Sequence, residues 1–122
     1  MTQGIVLFAH GSREPDWSVP FARLARRVGE RRPGARVVNA YLEHIAPTLD
    51  EAVASLAAEG AHEIVVAPLF FAPGGHVRRD LPRLVASLQA KHPAASLRVL
   101  PTIGEAEVLL DAIAAWVASD PR

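Results

Sequence analysis

His10 stands where an apolar run stops: Ile5-Val6-Leu7-Phe8-Ala9 is followed by His10-Gly11-Ser12-Arg13. A second histidine, His76, follows Gly74-Gly75, and a carboxylate, Glu43, follows Tyr41-Leu42. A neutral imidazole offers a lone pair to a divalent ion and can accept a proton near neutral pH. The chain has no cysteine, which removes disulfides, thiolate zinc sites, iron–sulfur clusters and cysteine nucleophiles together. Any metal would meet histidine, carboxylate or water. Imidazoles with a carboxylate nearby and no thiolate suit borderline ions such as cobalt, nickel or ferrous iron.

These residues need elements to carry them. Residues 5–9 are continuously apolar, the pattern of a central parallel strand. A loop over 10–16, broken by Gly11 and Pro15, leads to a helix over 17–31, with Trp17, Phe21, Leu24, Ala25 and Val28 at helical spacing. A second strand is expected over 36–42 and a second helix from Pro47-Thr48, with Asp50 and Glu51 in its first turn. Leu49, Ala52, Val53 and Leu56 form its apolar face, and Gly60 stands where a left-handed cap belongs. A third strand lies within 63–70. The loop 71–75 then delivers His76, and Gly74-Gly75 are expected to make an unusual backbone turn with room for a flat ligand. A third helix is expected over 76–91, with Val77, Leu81, Leu84, Val85 and Leu88 on one face and Pro82 near its first turn. A fourth strand over 97–100 and a fourth helix over 105–118 complete the chain.

Strict strand–helix alternation implies an α/β fold: a three-layer αβα sandwich on a four-stranded parallel sheet, flavodoxin-like, in the order 2-1-3-4. Residues 1–122 are expected to form one domain. In a parallel sheet every strand ends on the same edge. His10, Glu43, His44 and His76 follow the first, second and third strands, so they share that edge. In the expected order the exits of strands 1 and 3 diverge, and a crevice opens between them. His62 and His92 fall on the opposite edge.

Taken alone, each of these residues has an ordinary reading. His10 can be a loop imidazole bonded to backbone, His76 a helix cap and Glu43 an exposed carboxylate. The joint placement of the histidines at one crevice favours function. Asp80, one helical turn after His76, either orients that imidazole or complements the helix dipole. Arg13, Arg78 and Arg79 are carboxylate partners for a ligand or plain surface charges. A reaction that uses both abilities of histidine is the insertion of a divalent metal into a tetrapyrrole, because two pyrrole N–H protons must leave as the metal enters: histidine can present the metal and take up protons, and Glu43 can relay them.

The stretches Ala9-His10-Gly11-Ser12-Arg13, Tyr41-Leu42-Glu43, Pro68-Leu69-Phe70 and Gly74-Gly75-His76-Val77-Arg78-Arg79-Asp80-Leu81-Pro82 resemble the short sirohydrochlorin chelatases of the CbiX and SirB type. The resemblance covers essentially the whole chain, with every motif in order. It implies an ATP-independent class II chelatase that inserts cobalt or ferrous iron into sirohydrochlorin, on the way to cobalamin or siroheme. It assigns the metal to His10 and His76, with Glu43 assisting. Ser12, Arg13, Gly74, Gly75 and Arg78 are expected at the tetrapyrrole, and Asp80 behind His76. It also implies a homodimer, since full-length relatives carry two such halves. The last helix fits this, with Leu109, Leu110, Ile113, Trp116 and Val117 over a wide arc. No organic cofactor is expected; the divalent metal, with nickel also compatible, is substrate.

Composition narrows the alternatives. Thirteen acidic and thirteen basic residues balance, which argues against an electrostatic nucleic-acid binder or a polybasic membrane anchor. No apolar run approaches membrane-span length and no leader-like start precedes the first strand, so a soluble cytoplasmic protein is expected. A histidine phosphatase or phosphomutase wants an arginine immediately before His10, where Ala9 stands. A nucleotide binder of flavodoxin type wants a glycine-rich phosphate loop after the first strand. A non-catalytic carrier of metal or tetrapyrrole fits the same residues, and turnover alone separates it from a chelatase.

Overall fold

A computed structural model of the chain describes residues 3–72 and 74–122. Pro73, within the loop expected to deliver His76, lies outside the described residues. The elements are β1 (Gln3–Ala9), α1 (Val19–Arg31), β2 (Ala35–Tyr41), α2 (Leu49–Ala58), β3 (Glu63–Pro68), α3 (Gly75–Lys91), β4 (Ser96–Val99), a 3-10 turn (Ile103–Glu105) and α4 (Glu107–Ala118). The four strands are parallel, in the expected order β2-β1-β3-β4.

The pleat sends alternate side chains of β1 to opposite faces. Val6 and Phe8 join Val38, Ala40, Ile64 and Val66 against α2 and α3. On α2 the four buried residues are Leu49, Ala52, Val53 and Leu56, the face that helical spacing predicts. Each large member contributes about 1.5–3 kcal/mol by leaving water. The helix starts with a capping box: Thr48 Oγ1 accepts from Glu51 N–H (3.1 Å), and Glu51 Oε1 accepts from Thr48 N–H (2.8 Å). This pairing satisfies two orphan donors. Gly60 closes the unit with φ +92°.

On the other face α1 lies against β2, and Trp17 meets Tyr41 at 6.1 Å between ring centroids. The expected α1 stripe is only half-covered: Phe21, Ala25 and Val28 are partly buried, Leu24 is exposed, and no residue of the helix is fully buried. The helix begins at Val19, two residues later than expected, because turns at 14–17 precede it.

Two other expectations are corrected. Glu105 does not begin α4; it belongs to the 3-10 turn, where Thr102 Oγ1 donates to its carboxylate (3.0 Å). Pro82 is not near a first turn but seven residues into α3, and the helix runs through it. Leu88 is the fully buried residue of α3, Val77, Leu81 and Leu84 pack beside it, and Val85 faces a groove along β4 instead. The return from α3 to β4 is clamped by Gln89. Its amide nitrogen donates to the carbonyls of His92 (3.3 Å) and Ala95 (2.6 Å), and its oxygen accepts from Leu97 N–H (2.9 Å). No helix among the described residues is long and apolar enough to cross a membrane.

Candidate metal and tetrapyrrole site

The strand ends carry their pairing past the sheet. Leu42 N–H donates to Ala9 C=O (2.9 Å), and Glu43 N–H donates to His10 C=O (3.0 Å). His10 and Glu43 are thus neighbours by backbone. Gly11 is what permits this: its φ is +89°, and a Cβ there would collide with the Glu43 carbonyl oxygen. Only glycine tolerates both conditions. The His10 ring packs edge-on against Phe70, with centroids 4.5 Å apart, and Phe70 is itself packed on Phe8 at 5.5 Å.

His76 arrives from the other side, in the first turn of α3. Its Nε2 lies 3.7 Å from Asp80 Oδ2, and its side chain is 87% exposed. Beneath it is an apolar recess of about 310 Å³ lined by Phe8, Leu42, Val77, Leu81 and Leu84, with His76 and Asp80 at the rim. Phe8 lies two residues before His10 and Leu42 one before Glu43, so His76 sits over the ends of the two strands that carry them. A larger recess, about 470 Å³, lies at the opposite edge among Ala54, Ala57, Ala58 and Ala61, with His62 and His92. It gathers small apolar side chains, so size alone is a poor guide here.

The remaining predicted residues are less committed. Ser12 Oγ accepts from Glu14 N–H (3.0 Å), a local turn contact. Arg13 and Arg78 are exposed on the same edge. The expected unusual turn at Gly74-Gly75 is not there. Gly74 has φ −65° and ψ 165°, the ordinary extended geometry of a helix N-cap, Gly75 is helical, and nothing lies within 4 Å of a Cβ at either. Their smallness leaves open space rather than enabling a bend. His92 likewise caps α3 through its backbone N–H, while Gln89 supplies the side-chain clamp.

Three residues support the site in roles that the sequence does not reveal. Phe70, the last residue of the Pro68-Leu69-Phe70 motif, backs His10. Gly104 touches the Phe71 carbonyl so closely that a Cβ would overlap it, so the loop after β4 braces the loop that leads to His76. Tyr41, half a turn of strand below Glu43, is buried, and burial pushes its phenol above the ordinary value of 10.0. It therefore stays neutral beside the site. Among the described residues no group of three or more His, Asp or Glu side chains is arranged to hold a metal ion. The chain thus presents separate imidazoles and carboxylates along an open edge, not a closed cage.

A family model described as CbiX matches residues 4–119. The chain belongs to the CbiX family. The sirohydrochlorin cobaltochelatase of Saccharolobus solfataricus is 43% identical over 82 residues, covering 67% of this chain and 62% of that protein. That of Methanocaldococcus jannaschii is 37% identical over 90 residues, 74% of this chain and 63% of that one. The match thus spans under two thirds of either relative. Among solved structures, a CbiX protein assigned to cobalamin (vitamin B12) biosynthesis in Marinobacter aquaeolei superposes with TM-score 0.81 at 33% identity. It is covered over 95% of its length, and this chain over 98%. The sirohydrochlorin chelatase SirB of Bacillus subtilis, in complex with cobalt, shares the fold at TM-score 0.74 and 23% identity. There, 98% of this chain covers 51% of SirB.

Proposed function

We propose that this CbiX chain inserts a divalent metal, cobalt or ferrous iron, into sirohydrochlorin, as a step of cobalamin or siroheme formation. His10 and His76 present the metal through neutral imidazole nitrogens. They also take up the pyrrole protons that the metal displaces, and Glu43 relays them onward. Asp80 steadies the His76 ring, and Ser12, Arg13, Gly74, Gly75 and Arg78 meet the rim of the macrocycle, where carboxylates want forked or backbone donors.

The observation that carries the reading is the recess floored by Phe8 and Leu42. It sets His76 above the two strand ends that bear His10 and Glu43. The cobaltochelatase names of relatives up to 43% identical point the same way.

The site is completed by a second copy, with a cytoplasmic homodimer as the working unit. The last helix supports this. On α4 no residue is buried, and Val108, Leu109, Trp116 (74% exposed) and Val117 lie open to solvent, an apolar patch that wants a partner.

The test is spectrophotometric. Sirohydrochlorin absorbance is followed with purified protein and cobalt, ferrous or nickel ion in turn, against a protein-free control. Metal insertion should accelerate over the control; binding without acceleration would make the protein a carrier. His76→Ala should lose at least about a hundredfold in rate with unchanged circular dichroism and oligomeric mass. Full activity in that variant would overturn the assignment.

A further inference from the structure

The backbone at His44 has an uncommon form. Its φ is +72°, and Ile45 N–H donates to Glu43 C=O at 2.9 Å, closing a three-residue turn around it. A γ-turn with a positive central φ is the rare, strained variety. A β-carbon-bearing residue there costs of order 1–3 kcal/mol and persists only where its surroundings enforce it. The surroundings do enforce it: the Glu43 N–H is held by His10, its carbonyl is pressed against Gly11, and Tyr41 N–H is held by the Pro47 carbonyl.

The turn has a chemical result. In an extended strand, successive side chains point to opposite faces. Here residues 43 and 44 are brought to one side, with His44 Nε2 3.3 Å from Glu43 Oε1. The carboxylate is 61% exposed and the imidazole 30% exposed, so the imidazole keeps a path of its own to water. The neighbours pressed on this turn are His10 and Gly11 from the β1 exit and Ile45 to Pro47 of its own loop. Among the described residues, His44 is the ion-pair neighbour of Glu43.

We infer that His44 is the proton outlet of Glu43, a positioning residue that clears the carboxylate between transfers. This rests on the metal-insertion reading above. As each pyrrole N–H bond breaks, an imidazole of the His10–His76 pair takes the proton and passes it on, forming an O–H bond on Glu43. That O–H bond then breaks as the His44 Nε2 lone pair takes the proton, and the imidazolium releases it to water. The carboxylate is regenerated for the second proton, and no oxidant or reductant is needed.

Two variants test this while respecting the backbone. His44→Gly removes the imidazole and favours positive φ; His44→Asn keeps a polar side chain that tolerates the same region. Both should keep the KM for sirohydrochlorin and lose about tenfold or more in kcat for cobalt insertion. The Gly variant should melt no lower than the parent. Raising the concentration of a weakly coordinating, proton-accepting buffer, at fixed pH and ionic strength, should restore its kcat and leave the parent unchanged. Values of kcat within twofold of the parent in both variants would overturn the inference, as would a loss that buffer does not move. If the parent itself does not accelerate insertion, the metal-insertion reading fails and this inference falls with it; an active parent with unaffected variants sinks only the role of His44.

Discussion

His10 sits one residue past a strand, its carbonyl bonded to Glu43 and its ring against Phe70. His76 opens a helix from two glycines with empty space around them, its side chain almost wholly in solvent. The same edge therefore carries two arms, one with its imidazole packed on the sheet and one with its imidazole left almost free of packing. A group with a fixed aim is oriented before any substrate arrives. By that measure His10 is the fixed side chain and His76 the free one.

Substitutions on the two arms should behave differently, and equal behaviour would break the contrast. The largest effect is expected from Phe70→Ala. It removes a buried ring under His10 and should cost about 3–5 kcal/mol in urea unfolding. Gly11→Ala follows, at about 2–3 kcal/mol, because the added carbon meets both a positive φ and the Glu43 carbonyl. On the other arm the sign should reverse. Gly75→Ala, in a helical position with free space, should stabilise by about 0.4–1 kcal/mol. If the glycines leave room for the macrocycle, the same variant should raise KM for sirohydrochlorin. A destabilised Gly75→Ala, or a tolerated Gly11→Ala, would show that the two arms are held alike.

Much of this arrangement was legible beforehand, for reasons that differ by element. The strand order and the shared edge follow from alternation and from the direction rule of parallel sheets. All four buried residues of α2 could be named because a single apolar stripe had a single sheet to meet. The same pattern overstated α1, whose Leu24 is exposed; on α4, whose apolar arc is wider than one sheet contact needs, Leu110 and Ile113 are partly covered while Val108, Leu109, Trp116 and Val117 are open. Periodicity identifies the face that wants burial, not what covers it. Gly11 and Gly74 look equivalent as letters, yet only Gly11 is forced, because the reason is a carbonyl that arrives from residue 43. The contact of His44 with Glu43 is hidden from the sequence for a related reason: neighbours in an extended segment should diverge, and the turn at +72° folds it back on Glu43.

The Gln89 amide fastens the far end of α3 to the start of β4 through three backbone groups. At the other end Val77, Leu81 and Leu84 seat the helix on the core. α3 is thus moored along its length, and what stays open at its start is the side chain of His76, not the backbone that carries it.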